Sequence, residues 1–458
     1  MNPSLPRGTR DFNPKTMAKR NFILSTIVHH FKLYGFVQIE TPAIENLSTL
    51  TGKYGEEGDQ LLFKILNSRI HESTDKATLQ SEFEKSLEKA RNSELLTERA
   101  LRYDLTVPFA RFVSMHRNEL CFPFRRYQIQ PVWRADKPQK GRYREFWQCD
   151  ADIIGSKSLI NEIDLVHLMK DIYSALNIPA RIKINHRKIL AGIAELTGEK
   201  DKFQLLTEAL DAFDKTGKDA VLDNLKNKGW QLAGLEKLET LLESFSTGKD
   251  KLNFLQNWMR DSETGMQGMN ELQFIFSEIR DTTGVIVEPD ITLARGLNYY
   301  TGAIFEVKAD AGTFKPSITG GGRYDDLSGI FDFPGMSGVG ISFGIDRIYD
   351  VMEELDLFPK QAENSGTQIL IAHLGEPEML HGIALLQKFR TAGIRSEIYP
   401  DQGKIKKHFD YANKKEIPWV CVVGSEEMQS GIYTLKNMGS GSQEKHTLEG
   451  MIEKVVNS

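Results

Sequence analysis

Apolar positions in "PKTMAKRNFILSTIVHHFKLYGF" recur at helical spacing. Ile23, Ile27 and Phe31 fall at i, i+4 and i+8, and Phe22 and Leu24 widen the stripe. Gly35 follows Tyr34 and suits a helix C-terminus. "FVQIETPAIE" reads as a strand ended by Pro42. Residues 67–98 are polar and charged and predict an exposed, partly helical insertion. "FPFRRYQIQPVWRA" and "REFWQCDADIIG" are rich in β-formers and flank the Gly-containing "DKPQKGRY", which predicts an antiparallel hairpin with a long tip. A helix over 158–177 follows, then "ARIKINHRKIL" as a strand running into another helix. Residues 190–280 read as helical throughout. Strand patterns return at "GVIVEPDITLARGLNYYTGAIFEVKA", "KPSITGGGRYDDL" and "SGVGISFGIDRIYDVMEEL", the last turning from strand to helix. After "FPKQAENSG", strand and helix alternate to the end, as in a small α/β domain.

The chain of 458 residues predicts two to four domains, and 40% hydrophobic with 26% charged residues is ordinary for a soluble globular protein. The net charge of −5 neither requires nor excludes nucleic acid, because a local basic surface suffices. Cys121, Cys149 and Cys421 lie far apart, match no zinc spacing, and read as reduced thiols of a cytoplasmic protein. "MNPSLPRGTRDFNP" lacks the apolar core of a signal peptide, and no apolar run approaches the ~20 residues that span a bilayer.

Five stretches carry candidate chemistry. In the hairpin, Arg134, Lys137, Lys140, Arg142 and Arg144 surround Gly141, with Phe146 able to stack on a base and Asp136 able to accept from an exocyclic amine. A polyphosphate nucleotide would use all of these; a solvated basic hairpin is the alternative. In "LARGLNYYTG", Arg295 sits in an apolar setting, where a guanidinium needs an anion, either a ligand or a structural carboxylate. Tyr299 and Tyr300 beside it are core, rim or ligand contacts. In "ITGGGRYDDL" the glycines allow close approach of a ligand, or simply a tight turn, and match neither a Walker A loop nor a dinucleotide fingerprint. In "GVGISFGIDRIYD", Arg347 near a helix start faces an anion or makes a surface salt bridge. In "LRYDLTVPFAR", Asp104 and Thr106 clamp a cationic group, or one of them caps a helix.

In this order, the stretches resemble the histidyl-tRNA synthetase family of class II aminoacyl-tRNA synthetases. "GFVQIETPAIE", "VWRADKPQKGRYREFWQ" and "GVGISFGIDRI" resemble motifs 1, 2 and 3; "LARGLNYYTG" and "ITGGGRYDDL" resemble the two histidine signatures. The resemblance implies an α+β fold with a mixed, mainly antiparallel catalytic sheet. It divides the chain into catalytic core at 1–189 and 281–357, helical insertion at 190–280, linker at 358–365, and anticodon-binding α/β domain at 366–458. It also implies a homodimer, with ATP, histidine and the cognate tRNA as partners; ATP chemistry adds Mg²⁺, whose ligands the sequence does not name. The implied roles follow by position. Arg134 and Arg295 meet the α-phosphate, and Arg295 also the substrate carboxylate. Arg142 and Arg347 meet the γ-phosphate end, Phe146 stacks on adenine, and Asp136 takes its amino group. Asp104, Thr106 and Gln148 hold the α-ammonium, while Asp152, Tyr299 and Tyr300 line the imidazole site. Gln139 at the hairpin tip is a candidate for the extra 5′ guanosine of histidine tRNA. The basic run "KIKKHFDYANKK", with Lys404, Lys406 and Lys407, is a candidate tRNA surface or a solvated helix face.

One residue departs from the family pattern: Asn298 stands where aspartate is usual. Two other readings share parts of the pattern. The synthetase-like regulatory subunit of ATP phosphoribosyltransferase binds histidine without charging tRNA, but commonly lacks the C-terminal domain. Other class II synthetases lack the two histidine signatures.

Overall fold

The computed structural model describes residues 3–51, 61–68, 70–72, 75–88, 93–139, 141–247, 250–279, 284–294, 300–325, 327–331, 333–359, 362 and 366–457. Lys140, Arg295, Asn298 and Tyr299 lie outside the described residues. The chain divides into two compact units: Met1–Phe12 with Lys19–Phe358, and Asn13–Ala18 with Pro359–Ser458. Among the described residues no helix is long and apolar enough to cross a membrane.

Period-two alternation organises the first unit. Its strands are β1 (Val37–Gln38), β2 (Ile44–Asn46), β3 (Phe63–Ile65), β4 (Arg99–Leu101), β5 (Phe124–Trp133), β6 (Glu145–Ile154), β7 (Ala180–His186), β8 (Val285–Pro289), β9 (Tyr300–Ala309), β10 (Thr319–Asp325) and β11 (Ser337–Gly344). Eight described strands form one sheet in the order β1-β5-β6-β11-β10-β9-β7-β8. It is antiparallel except for the parallel edge pairs β1–β5 and β7–β8. One face is apolar: Tyr127, Cys149, Ala151, Ile153, Val339, Ile341 and Phe343 enter the main core. The residues between them on β5, β6 and β11 are Gln128, Gln130, Gln148, Asp150, Asp152 and Ser342, and they must face the other way.

Helix Pro14–Leu33 lies against the apolar face, with Ile23, Ile27 and Phe31 fully buried and Phe22 and Leu24 partly so. Gly35 ends it at φ +76°, a conformation glycine adopts without a Cβ penalty. Phe36 N then donates to Phe31 O at 2.9 Å and Gly35 N to Lys32 O at 3.1 Å, while the Phe31 and Phe36 rings pack 6.0 Å apart. These paired bonds and the apolar contact are the Schellman arrangement.

The strand expected over "FVQIETPAIE" is split. Only Val37–Gln38 pairs with β5; beyond Pro42, which has no N–H to give a ladder, Ile44–Asn46 joins a separate sheet, β2-β4-β3. Between β3 and β4 the polar stretch contains helix Lys76–Glu88. Between β7 and β8 lie helices Arg187–Leu196, Phe203–Asp211, Phe213–Asn227, Leu232–Thr247, Lys251–Trp258 and Glu263–Ser277. Their buried leucines, among them Leu206, Leu225, Leu241 and Leu272, continue the same core as the sheet. "KPSITGGGRYDDL", which reads as a strand pattern, holds β10 in mid-sheet rather than the tight turn its glycines also allow, with Arg323 buried between both oxygens of Glu162 at 2.5 and 2.6 Å.

The second unit has β12 (Ile369–His373), β13 (Ser396–Ile398), β14 (Trp419–Val423), β15 (Tyr433–Asn437) and β16 (Gln443–His446). They are ordered β13-β12-β14-β15-β16, parallel among the first three and antiparallel beyond. Ile369 and Ile371 face one apolar cluster and Leu370 and Ala372 another, so β12 is covered on both sides and reads as a continuous apolar run.

Candidate active site

The polar face of the large sheet is a buried floor. Cross-strand register places Arg126 beside Asp152 and Gly340, Gln128 beside Asp150 and Ser342, and Gln130 beside Gln148 and Gly344. Arg126 has no exposed surface; its Nη2 lies 2.7 Å from Asp152 Oδ2, and its guanidinium covers the Phe109 ring at 4.1 Å. The ion pair is close, but the Nη2–H is off-axis, so Arg126 Nη2 and Nε make no hydrogen bond to a described residue. Tyr324 donates to Asp152 Oδ1 at 2.8 Å. Gln148 Nε2 donates to Ser342 Oγ at 3.2 Å, and the same hydroxyl hydrogen-bonds Asp150. Gln148 Oε1 and Asp150 Oδ1 are buried and accept from no described residue. Open acceptors in a dry site are costly unless a ligand meets them.

The electrostatics follow from burial. Asp104, Asp150 and Asp152 share this site with Arg126, and Arg134 acts on Asp104. Burial pushes Asp150 up to about 7, against the pull of Arg126 and with added repulsion from Asp152. It pushes Asp104 up to about 6, opposed mainly by Arg134. Asp152 is raised too, by burial, with Arg126 and the Tyr324 hydroxyl opposing. A cationic group entering beside these three raised carboxyls would favour their ionised forms, as an opposite charge does.

The hairpin tip stands over this floor. Arg134 Nε is anchored on Tyr103 O at 2.9 Å and its guanidinium lies 5.1 Å from the Phe146 ring. Asp136 and Arg142 pair with each other at 2.9 Å, with the Arg142 side chain half exposed. Gln139 and Arg142 form a β-bridge that closes the tip. Arg347 donates to Ser317 O at 2.8 Å and, at 3.4 Å, to Gly141 O. The N-terminal segment clamps the loop: Arg144 N donates to Gly8 O at 2.9 Å, and Arg10 stacks 3.2 Å over Tyr143 while pairing with Asp346 at 2.6 Å.

Of the sequence candidates, Asp104, Gln148 and Asp152 thus meet in one polar site with Arg134 beside it. Thr106 opens helix Thr106–Met115, where Asp104 Oδ1 accepts from Val107 N at 3.3 Å, so Asp104 also serves the helix start. Tyr300 opens β9 opposite Tyr324, its ring beside Gly322. Asp136, Gln139 and Arg142 gather at the tip, with Arg347 reaching Gly141. Lys404, Lys406 and Lys407 are exposed in the second unit, the last two on helix Ile405–Lys414. Sequence reasoning missed Arg126, Gln128, Tyr324 and Ser342, and gave Asp150, one of two carboxylates at the acidic end of the hairpin stretch, no role of its own. A signal was present: in "QCDADI", polar and apolar residues alternate strictly over the strand, which announces one polar face.

With this geometry established, comparison with known proteins is specific. A family model described as "Histidyl-tRNA synthetase" matches residues 76–348, and one described as "Anticodon binding domain" matches 368–458. The histidine–tRNA ligase of Bacteroides fragilis (strain YCH46) is 54% identical over 454 residues, covering 98% of each chain. That of Cytophaga hutchinsonii is 49% identical over 458 residues, covering 99% of each. The crystal structure of histidyl-tRNA synthetase from Nostoc sp. PCC 7120 superposes at a TM-score of 0.82 with 26% identity, covering 100% of this chain and 99% of that one. A structure described as an ATP phosphoribosyltransferase regulatory subunit/histidyl-tRNA synthetase, from Bacillus halodurans, shares the fold at a TM-score of 0.70 and 20% identity, covering 92% of this chain and 99% of that one. The chain belongs to the histidyl-tRNA synthetase family.

Proposed function

We propose that the protein joins histidine to its cognate tRNA in two steps. A carboxylate oxygen of histidine attacks the α-phosphorus of ATP; the bond to the β-phosphate breaks, and pyrophosphate leaves. A terminal ribose hydroxyl of the tRNA then attacks the activated carbonyl and AMP departs. The observation that carries the reading is the floor: buried, polar on one face only, lined by three carboxyls, and holding unmet acceptors at Gln148 and Asp150. A free amino acid with a second N–H-bearing group satisfies both needs. Relatives at about half identity along nearly the whole chain supply its identity as histidine.

In this reading Asp104, Thr106 and Gln148 hold the α-ammonium, and Asp152, Tyr299 and Tyr300 line the imidazole pocket. Arg134, anchored at its base by Tyr103 O, directs its fork to the α-phosphate together with Arg295. Phe146 stacks on adenine. Asp136 and Arg142 exchange each other for the adenine amine and the terminal phosphate. Their pair costs little to open, on the order of 0–1 kcal/mol for so exposed a contact. Arg347 completes the phosphate end. ATP enters as its magnesium complex, the ion neutralising phosphate charge. Gln139, Lys404, Lys406 and Lys407 contact tRNA, and the chain acts as a cytoplasmic homodimer.

The family match over residues 368–458 favours this reading over the regulatory paralogue, which commonly lacks that domain. Charging of histidine tRNA with labelled histidine tests it. Acid-stable, ATP-dependent label on the tRNA is expected; histidine binding without charging would move the assignment to the paralogue.

A further inference from the structure

The groups assigned to the triphosphate and adenine come from elements far apart in the chain. Asp136 and Arg142 sit on the hairpin tip, and Arg347 sits in the first turn of helix Ile345–Glu354. Arg347 Nε reaches Gly141 O of the tip at 3.4 Å, the long end of hydrogen bonding, while its Nη1 donates to Ser317 O at 2.8 Å. A nucleotide held from both sides needs the two elements at a fixed spacing.

The N-terminal segment lies against both. Gly8, at φ +90°, is packed on the tip: its carbonyl accepts from Arg144 N at 2.9 Å, and a Cβ there would come within 2.8 Å of the Pro138 ring and 2.9 Å of the Arg144 side chain. Two residues on, the Arg10 guanidinium lies 3.2 Å from the centre of the Tyr143 ring, which stands between Arg142 and β6. The Nη2 of the same guanidinium pairs at 2.6 Å with Asp346, the buried residue before Arg347. Asp346 also takes Arg20 of helix Pro14–Leu33, and the Phe12 ring lies 4.9 Å from one guanidinium and 4.3 Å from the other. A planar guanidinium offers its face to a ring and its edge to a carboxylate at once, which no other side chain does.

We infer that Arg10 is a positioning residue for ATP: through Tyr143 and Asp346 it ties the hairpin tip to the start of helix Ile345–Glu354, and so sets Asp136 and Arg142 against Arg347 around the nucleotide. This rests on the ligase reading above. Arg10 acts through these neighbours, without a contact to ATP of its own. The Asp136–Arg142 pair has to part when the nucleotide enters, and the stack on Tyr143 holds the tip in place while it does. The Arg10 side chain is only 26% exposed, so water competes less for this stack than for a surface one. Histidine, on the floor formed by β5, β6 and β11, is held by other residues, so the effect falls on ATP.

The test is histidine-dependent ATP–pyrophosphate exchange by wild type, Arg10→Ala, Tyr143→Leu and the double variant, with KM measured separately for ATP and for histidine. Arg10→Ala is expected to raise the KM for ATP about 5- to 30-fold and to keep the KM for histidine within about twofold. Tyr143→Leu removes the ring, leaves the ion pair with Asp346, and is expected to show the same split. The double variant is expected to fall within about twofold of the more affected single variant, because both substitutions remove one contact. A merely structural role lowers the active fraction and moves neither KM. An ATP KM within about twofold of wild type in both single variants, an equal rise for ATP and histidine, or effects that multiply in the double variant each overturn the inference. Should Arg10→Ala fail to fold, Tyr143→Leu reads the same split, and failure of both assigns the contact a structural role and overturns the inference too. Absence of exchange in the wild type would instead sink the ligase reading itself.

Discussion

Burial of Asp150 should make the ligand-free protein less stable as pH rises, and Asp150→Asn should remove that dependence. The carboxyl is lifted from 3.8 to about 7 in the fold. Between those values the folded protein keeps a proton that the unfolded chain has already released. The stability associated with this group is therefore fully present below about pH 3.8 and is lost as pH rises through about 7. A lift of about three units at 1.36 kcal/mol each corresponds to about 4 kcal/mol at the alkaline plateau. Integrated between pH 5 and pH 8, the change is about 3 kcal/mol, because part of the loss has already occurred at pH 5. Asparagine has nothing to ionise, so Asp150→Asn should gain about 3 kcal/mol on wild type over that interval, a rise on the order of 5 °C in the melting of the first unit. Calorimetry without ligands, with the two units' transitions read separately, measures this. A variant-to-wild-type difference that is the same at pH 5 and pH 8, within about 0.5 kcal/mol, would refute the burial argument.

Gly340→Ala should drive Asp152 away from Arg126 and leave a fully buried guanidinium uncompensated, at about 3–5 kcal/mol and most of the exchange activity, read by thermal melts and turnover. Gly320→Ala, with open space above it, should leave stability within about 1 kcal/mol while raising the KM for histidine. Glu162→Gln should break the buried pair with Arg323 and lower the melting temperature by the equivalent of about 3–5 kcal/mol, with the KM for histidine and ATP unchanged in the folded fraction. Replacing Lys406 and Lys407 together by Glu should raise the KM for tRNA and leave pyrophosphate exchange untouched, because both are exposed lysines on a helix of the second unit.

Much of this was legible from local pattern. The apolar stripe at Ile23, Ile27 and Phe31 and the glycine after it define the first helix and its closure. The β-formers around "DKPQKGRY" define the hairpin of β5 and β6. Arg134, Asp136 and Arg142 stand out in the sequence because their chemistry sits within one loop. The remainder depends on register, which sequence separation conceals. Arg126 meets Asp152 and Tyr324 meets the same carboxylate only because β5, β6, β11 and β10 align side by side. Read along the chain, Asp150 and Asp152 look alike; their difference is made by neighbours on other strands. "KPSITGGGRYDDL" reads as a strand although glycine usually weakens one; its glycines sit in β10 where a Cβ on Gly321 or Gly322 would strike the backbone of its neighbours. The strand after Phe36 breaks because Pro42 cannot extend the ladder, so the chain changes sheets there.

The most direct measurement is ATP–pyrophosphate exchange by the purified protein with each of the twenty amino acids in turn. Exchange with histidine alone is the predicted result. Exchange with another amino acid, or none with histidine although histidine binds, would contradict it.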